Sequence, residues 1–327
     1  MNLIKERYVW IDYAKFFSIF LVVLYHTKPS LLLDSFIGNL LTLLRMPAFF
    51  LIAGYLFDIK KYNSILIFLK HRSKQLLIPY FYFFIIFYFL WIIIGRNMVG
   101  SDELSINIYL PIKEFILGTP YIICAPYWFI TCLFTIQVIY YLLSKLFNNK
   151  FIIFFISIIL YIISNNIYII DFWMISKALY FLPFYTFSNV FKVYINNIKY
   201  ENNIFISLFL SAIVVVYLLL NKNLNYIEYL ILGFLILPIY IYCCKTIPKF
   251  NGTKLIELFS KNGIIILALQ SYIIGFIKIL SYKILGYNIF SIDIVINIFL
   301  SVIVILITYY PIIFINKYIP FIIGRKK

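Results

Sequence analysis

The chain has 327 residues, of which 64% are hydrophobic and 12% charged, with a formal net charge of +16. Soluble domains hold about 45–50% apolar and about 25% charged residues, so a single water-soluble core is excluded and lipid is the expected solvent. The positive charge sits in short Lys/Arg clusters between apolar runs, as in cytoplasmic loops of membrane proteins, and no nucleic-acid partner is expected.

Runs such as Phe151 to Ile163, Ile204 to Leu220 and Phe290 to Ile315 are apolar on all sides. A spanning helix needs roughly 17–25 such residues, whereas a membrane β-barrel alternates apolar and polar residues in segments of about 10. The predicted fold class is therefore all-α, a polytopic transmembrane helical bundle. About ten spans are predicted, over 9–28, 36–57, 78–95, 127–146, 151–170, 173–194, 204–221, 226–244, 262–284 and 290–316. Phe16 to Tyr25 has the length of a signal-peptide core. No small-residue cleavage site follows it, and Asp12 and Lys15 stand at its entry, so it reads as a retained first span.

Lys60, Lys61, Lys70, Arg72 and Lys74 crowd the loop after the second span, and Lys145 with Lys150, Lys192 with Lys199, and Lys245 to Lys261 occupy later even-numbered connections. The opposite set is poorer: Lys28 with Asp34, Asp171, and Lys222; Lys278 and Lys283 are the exceptions. This asymmetry places both termini in the cytoplasm. Residues 96–126 form the longest outward connection, with Asp102, Glu103 and Glu114, and are expected to fold partly as a re-entrant or surface helix. Residues 1–327 read as one domain. The cysteines, Cys124, Cys132, Cys243 and Cys244, lack metal-ligand spacing, so no metal is expected.

Ionisable groups inside spans are costly and mark candidate sites. Lys15 and His26 are eleven residues apart, three helical turns plus about 20°. Asp12, fourteen residues before His26 and short of four turns by about 40°, falls on the same narrow stripe, with Ser18 and Val22 between. The plainer alternatives are an Asp12–Lys15 pair at the interface and a satisfied histidine at the outer boundary. The other histidine, His71, falls in a basic loop. In the second span Arg45 must face protein, water or an anionic ligand. Pro47 frees a backbone carbonyl one turn earlier, and Gly54 permits close helix approach. The strip from Lys70 to Gln75 suits phosphate binding as well as simple topology and lipid contact.

With these residues assembled, the chain resembles acyltransferase family 3, above all the O-acetyltransferases of surface polysaccharides. The resemblance is carried by Asp12, Lys15 and His26, by MPAFFLIAGYLF over Met46 to Phe57, and by the basic entry from Arg72 to Tyr80. Trp128 and Phe129, and SKNGIIILALQ ending in Gln270, extend it to nearly full length. The sequence departs from the family pattern at Gln75 (Arg), Arg45 (His), Phe16 (Gly) and Gln270 (His). The resemblance implies transfer of an acyl group, acetyl first, from cytoplasmic acyl-CoA to a hydroxyl of a surface or lipid-linked glycan, in the cell's cytoplasmic membrane. It implies acetyl-CoA as a donor substrate, with no tightly bound cofactor. His26, Lys15 and Asp12 are then catalytic candidates, with His26 as general base. Arg45, Arg72, Lys74, Tyr80, Trp128 and Gln270 are candidate substrate contacts. A transporter or flippase of glycan or lipid would also keep polar residues in its spans; no internal repeat of the transporter kind is seen.

Overall fold

A computed structural model describes residues 9–27, 36–95, 107–166, 172–197, 204–221, 223–247, 253–291 and 293–325. Lys28, Asp34, Asp102, Glu103, Asp171, Lys199, Lys222, Lys249, Lys326 and Lys327 lie outside these residues. Among the described residues the chain is helical, with no strand.

The helices in chain order begin with α1 (Val9–Thr27), α2 (Phe36–Leu56), α3 (Ile65–Arg72) and α4 (Ile78–Leu90). They continue with α5 (Tyr109–Leu117), α6 (Tyr121–Cys124), α7 (Trp128–Leu146), α8 (Lys150–Asn166), α9 (Ile175–Val190) and α10 (Lys192–Asn197). The series closes with α11 (Ile204–Leu220), α12 (Tyr226–Thr246), α13 (Thr253–Lys261), α14 (Gly263–Leu285), α15 (Ile294–Ile307) and α16 (Tyr309–Tyr318). Among the described residues, seven helical stretches are long and apolar enough to cross a membrane. Three further helices, α8, α9 and α11, lie where spans are predicted but are only 17, 16 and 17 residues long. Helix α3 and α4 join through a π-helical turn, Ser73–Leu77, into one stretch starting well before the predicted residue 78. The basic strip from Lys70 to Gln75, expected as loop, is helical.

Helix α1 is the hub, packed against α2, α12, α13, α14 and α15. Helix α2 lies equally close to α9. The approach is set by Gly54, where a Cβ would stand 2.1 Å from the Tyr185 carbonyl oxygen. Asn189 uses the same gap, donating to the Gly54 carbonyl at 2.9 Å. Large apolar side chains on the outer helices α8 and α11, such as Phe155, Phe205 and Phe209, stay exposed, as lipid-facing positions do. Small hydroxyl groups turn inward instead. The Ser157 and Thr186 hydroxyls join α8 to α9 at 2.8 Å, the polar contact expected where lipid offers no partner.

The connection over 96–126 carries the helices α5 and α6 in its described part. Gly118, at φ +77°, ends α5 in the left-handed conformation, and the Glu114 carboxylate accepts from the Ile122 N–H at 2.9 Å.

Candidate active site

Two cavities open at opposite ends of the hub. The larger, about 800 Å³, is lined on α1 by Val22, Tyr25 and His26. Helix α2 adds Asn39, Thr42, Arg45, Met46 and Phe49; other walls come from Trp128, Lys177, Tyr180, Asn225, Tyr226 and Tyr229. The smaller, about 440 Å³, is lined by Lys15 and Ile19 of α1, with Arg72, Gln75, Gln137, Lys261, Asn262 and Arg325. Lys15 and His26 are thus on one helix, roughly 16 Å apart along its axis at 1.5 Å per residue, and each reaches a different cavity.

The cavity-facing stripe of α1 is Lys15, Ile19, Val22 and His26, at helical spacings of four, three and four. Ser18, expected on that stripe, turns toward α12. It is fully buried and its hydroxyl meets the Tyr240 hydroxyl at 2.8 Å, and Tyr240 donates to the Ala14 carbonyl at 2.5 Å. Asp12 stands off the cavity lining and accepts from the Ser260 hydroxyl at 2.8 Å. Its visible work is to hold the end of α13, from which Lys261 enters the smaller cavity.

Polar side chains stand among apolar ones in the His26 cavity, and no Asp or Glu lines it among the described residues. The His26 ring meets the Tyr25 ring edge to face, centroids 5.7 Å apart. The Arg45 guanidinium lies over the Tyr25 ring, its Cζ 3.4 Å from the centroid. Tyr229 donates to the Thr42 carbonyl at 3.2 Å, next to the carbonyl that Pro47 leaves without its helical donor. Asn225 is fixed by a reciprocal capping box with Glu228, at 2.9 Å each way, a strong helix start. Trp128 presents its ring to the Lys177 ammonium, 4.4 Å away.

The opposite cavity is basic. Arg72 donates to Gln75 at 2.9 Å across the π-helical turn, and its guanidinium faces the Phe57 ring at 5.2 Å. Arg325 is clamped at the mouth by three acceptors: Asn262 at 3.0 Å, the Lys261 carbonyl at 2.8 Å, and Asn316. The clamp depends on Gly324, at φ +69°, whose Cα lies so close to the Lys74 backbone that a Cβ would fall 1.9 Å from the carbonyl oxygen.

The two cavities share three lining residues, Phe49, Phe129 and Leu267. Phe49 and Phe129 cross at 4.4 Å and 73°. A thin apolar wall therefore separates a basic pocket from a histidine-bearing one inside the same bundle.

The acyltransferase-domain family matches residues 8–315, nearly the whole chain. The chain belongs to acyltransferase family 3. No curated protein and no solved structure matches it. As a family 3 acyltransferase with seven membrane-length helices, it is a multi-pass membrane enzyme.

The family residues named from sequence fall into three groups in this acyltransferase. His26, Arg45 and Trp128 share the larger cavity, while Lys15 and Arg72 share the smaller. Asp12, Lys74, Tyr80 and Gln270 line neither. Lys74 contributes its carbonyl to the Gly324 contact. Tyr80 is buried, stacks on Phe115 with centroids 4.7 Å apart and donates to the Phe115 carbonyl at 3.0 Å. Gln270 is wholly buried, and neither amide atom has a hydrogen-bond partner. Sequence reasoning did not single out Lys177, Asn225, Asn262 or Arg325. Lys261 and Arg325 had counted only as topology charges, and Asn262 lies within the quoted SKNGIIILALQ segment, which was the available signal.

Proposed function

We propose that this family 3 acyltransferase moves an acyl group, acetyl first, from cytoplasmic acyl-CoA to a hydroxyl of a surface or lipid-linked glycan, in the cell's cytoplasmic membrane. The observation that carries the reading is the pair of cavities on one helix, one basic around Lys15 and one holding His26 with several asparagines and tyrosines, meeting at Phe49, Phe129 and Leu267. Arg72, Lys261, Arg325 and Lys15 supply the cationic donors that coenzyme A phosphates require. The surplus of Lys and Arg in even-numbered connections supports a cytoplasmic placement for that end, with ten spans and both termini inside.

With the phosphates held at Arg72 and Arg325, the flexible arm of coenzyme A extends along α1 and brings its thioester to the apolar wall. The acceptor hydroxyl binds beside His26, among the asparagines and tyrosines of the larger cavity. Neutral His26 takes the hydroxyl proton as the oxygen attacks the thioester carbon. A C–O bond forms, the C–S bond breaks, and the departing thiolate receives the proton back from the imidazolium. Excluding bulk water at the wall protects the thioester from hydrolysis.

The test is mass spectrometry of the surface glycan from cells with and without the gene, complemented by wild type or His26→Ala. Loss of one acetyl mass per repeat without the gene, restored by wild type alone, is expected. An unchanged glycan, or restoration by His26→Ala, rejects the assignment.

A further inference from the structure

Arg45 is the tenth residue of the 21-residue helix α2, so its guanidinium sits at mid-depth in a span. A charged side chain there is costly, so it marks a place where charge is needed. Hydroxyls of a neutral sugar need no charge, and Asn39, Asn165, Asn223 and Asn225 already furnish neutral donors and acceptors in this cavity. The Tyr25 face is what the protein itself sets against the guanidinium. The Arg45 Nε is buried with no hydrogen-bond partner, and no carboxylate lines the cavity among the described residues. The Arg45 side chain thus borders a roomy cavity and, among the described residues, is matched by a tyrosine and not by a carboxylate.

We infer that the glycan acceptor carries an anionic group, a carboxylate or a phosphate ester, and that Arg45 binds it. This rests on the reading of the His26 cavity as the acceptor site. Tyr25 touches both side chains, its ring centroid 3.4 Å from the Arg45 Cζ and 5.7 Å from the His26 ring centroid. The anion and the reacting hydroxyl therefore belong to the same sugar or to its immediate neighbour. An anion at Arg45 also fixes which hydroxyl faces His26, because a guanidinium fork holds planar oxyanions in a set orientation.

The experiment uses the full chain in lipid nanodiscs, radiolabelled acetyl-CoA, and the lipid-linked and surface glycans extracted from the host cell. Portions of the extract are first carboxyl-reduced, or dephosphorylated with cold hydrofluoric acid. Incorporation into the untreated extract that falls tenfold or more after one treatment supports the inference and tells carboxylate from phosphate. Incorporation unchanged by both treatments overturns it while leaving acyl transfer to glycan intact. Absence of incorporation even into the untreated extract defeats the acyl-transfer reading itself. With the untreated extract, Arg45→Gln raises acceptor KM about ten- to hundredfold, the effect of losing a bond to a charged group, with donor KM unchanged. Arg45→Lys, which keeps the charge, recovers most of that loss. An acceptor KM unmoved by Arg45→Gln counts against the inference, and the chemically treated extracts keep the test decisive if the variant fails to fold.

Discussion

At the scale of single residues, Lys15 and His26 lie on one face of α1 yet line different chambers, which separates their expected kinetic signatures. His26→Ala removes the base and lowers kcat by about 10²–10⁴-fold, the usual worth of general base catalysis, with donor KM little changed. Lys15→Ala and Arg325→Gln each weaken acyl-CoA binding and raise donor KM roughly tenfold, about 1.4 kcal/mol. Steady-state kinetics on purified enzyme distinguish the two patterns; a kcat-only effect for Lys15→Ala sinks its assignment to the donor. Gln270 behaves differently from both. Its amide is enclosed without a partner, and a buried polar group left unsatisfied costs about 1–3 kcal/mol. Gln270→Leu is expected to leave acyl transfer in place and to raise the thermal midpoint in detergent. Loss of activity with retained stability would instead give Gln270 a role in binding.

Among the elements, the close pair α2 and α9 holds Arg45 and Phe49 in place. Gly54→Ala drives a methyl into the Tyr185 carbonyl and is expected to destabilise by about 3 kcal/mol, in the range for overpacking a tight contact. A lowered thermal midpoint with weakened activity in both half-sites is the readout. Gly324→Ala is more local. It breaks the left-handed turn against Lys74, releases the Arg325 clamp, and raises donor KM while sparing the His26 cavity. The turn after α5 carries a pH dependence. Burial raises the Glu114 pKa, and the backbone N–H groups of Ile122 and Tyr121 only partly oppose this. A carboxyl with a raised folded value gives most stability below its ordinary value and loses it as pH rises through the folded one. Hydrogen exchange over residues 118–124 should therefore quicken with pH beyond its intrinsic base catalysis, and Glu114→Gln should remove the excess.

For the whole molecule, the proposed transfer requires the two chambers to communicate while water stays out, and Phe49, Phe129 and Leu267 line both. Phe49→Ala thins that wall. The expected outcome is uncoupling: acyl-CoA hydrolysis without acceptor rises severalfold, and transfer to glycan falls. Tight coupling in Phe49→Ala places the path elsewhere. The cytoplasmic orientation of the Lys15 end is checked by accessibility of single cysteines, for example at Lys61 and Tyr109, to a membrane-impermeant reagent. Labelling of the Lys61→Cys variant only after membranes are opened supports the orientation; labelling from outside in intact cells reverses it.

Much of this was legible in the chain itself. Long apolar runs need lipid, and their backbone groups must bond within each segment, so an all-helical membrane bundle follows from composition. The spacing of Lys15 and His26 follows from helix periodicity, and the MPAFFLIAGYLF run and its neighbours pointed to the family that the match over residues 8–315 establishes. Periodicity could place side chains on one face but not say what faces them. Only the packing of α12 and α13 showed that Ser18 is taken by Tyr240 and Asp12 by Ser260, leaving Ile19 and Val22 between the two polar ends. Arg325, about 310 residues from Lys15 along the chain, joined it because Gly324 lets the backbone lie against Lys74. The division of one polar stripe into two chambers belongs to tertiary structure alone, since the wall is built from three side chains on three helices, none of them polar.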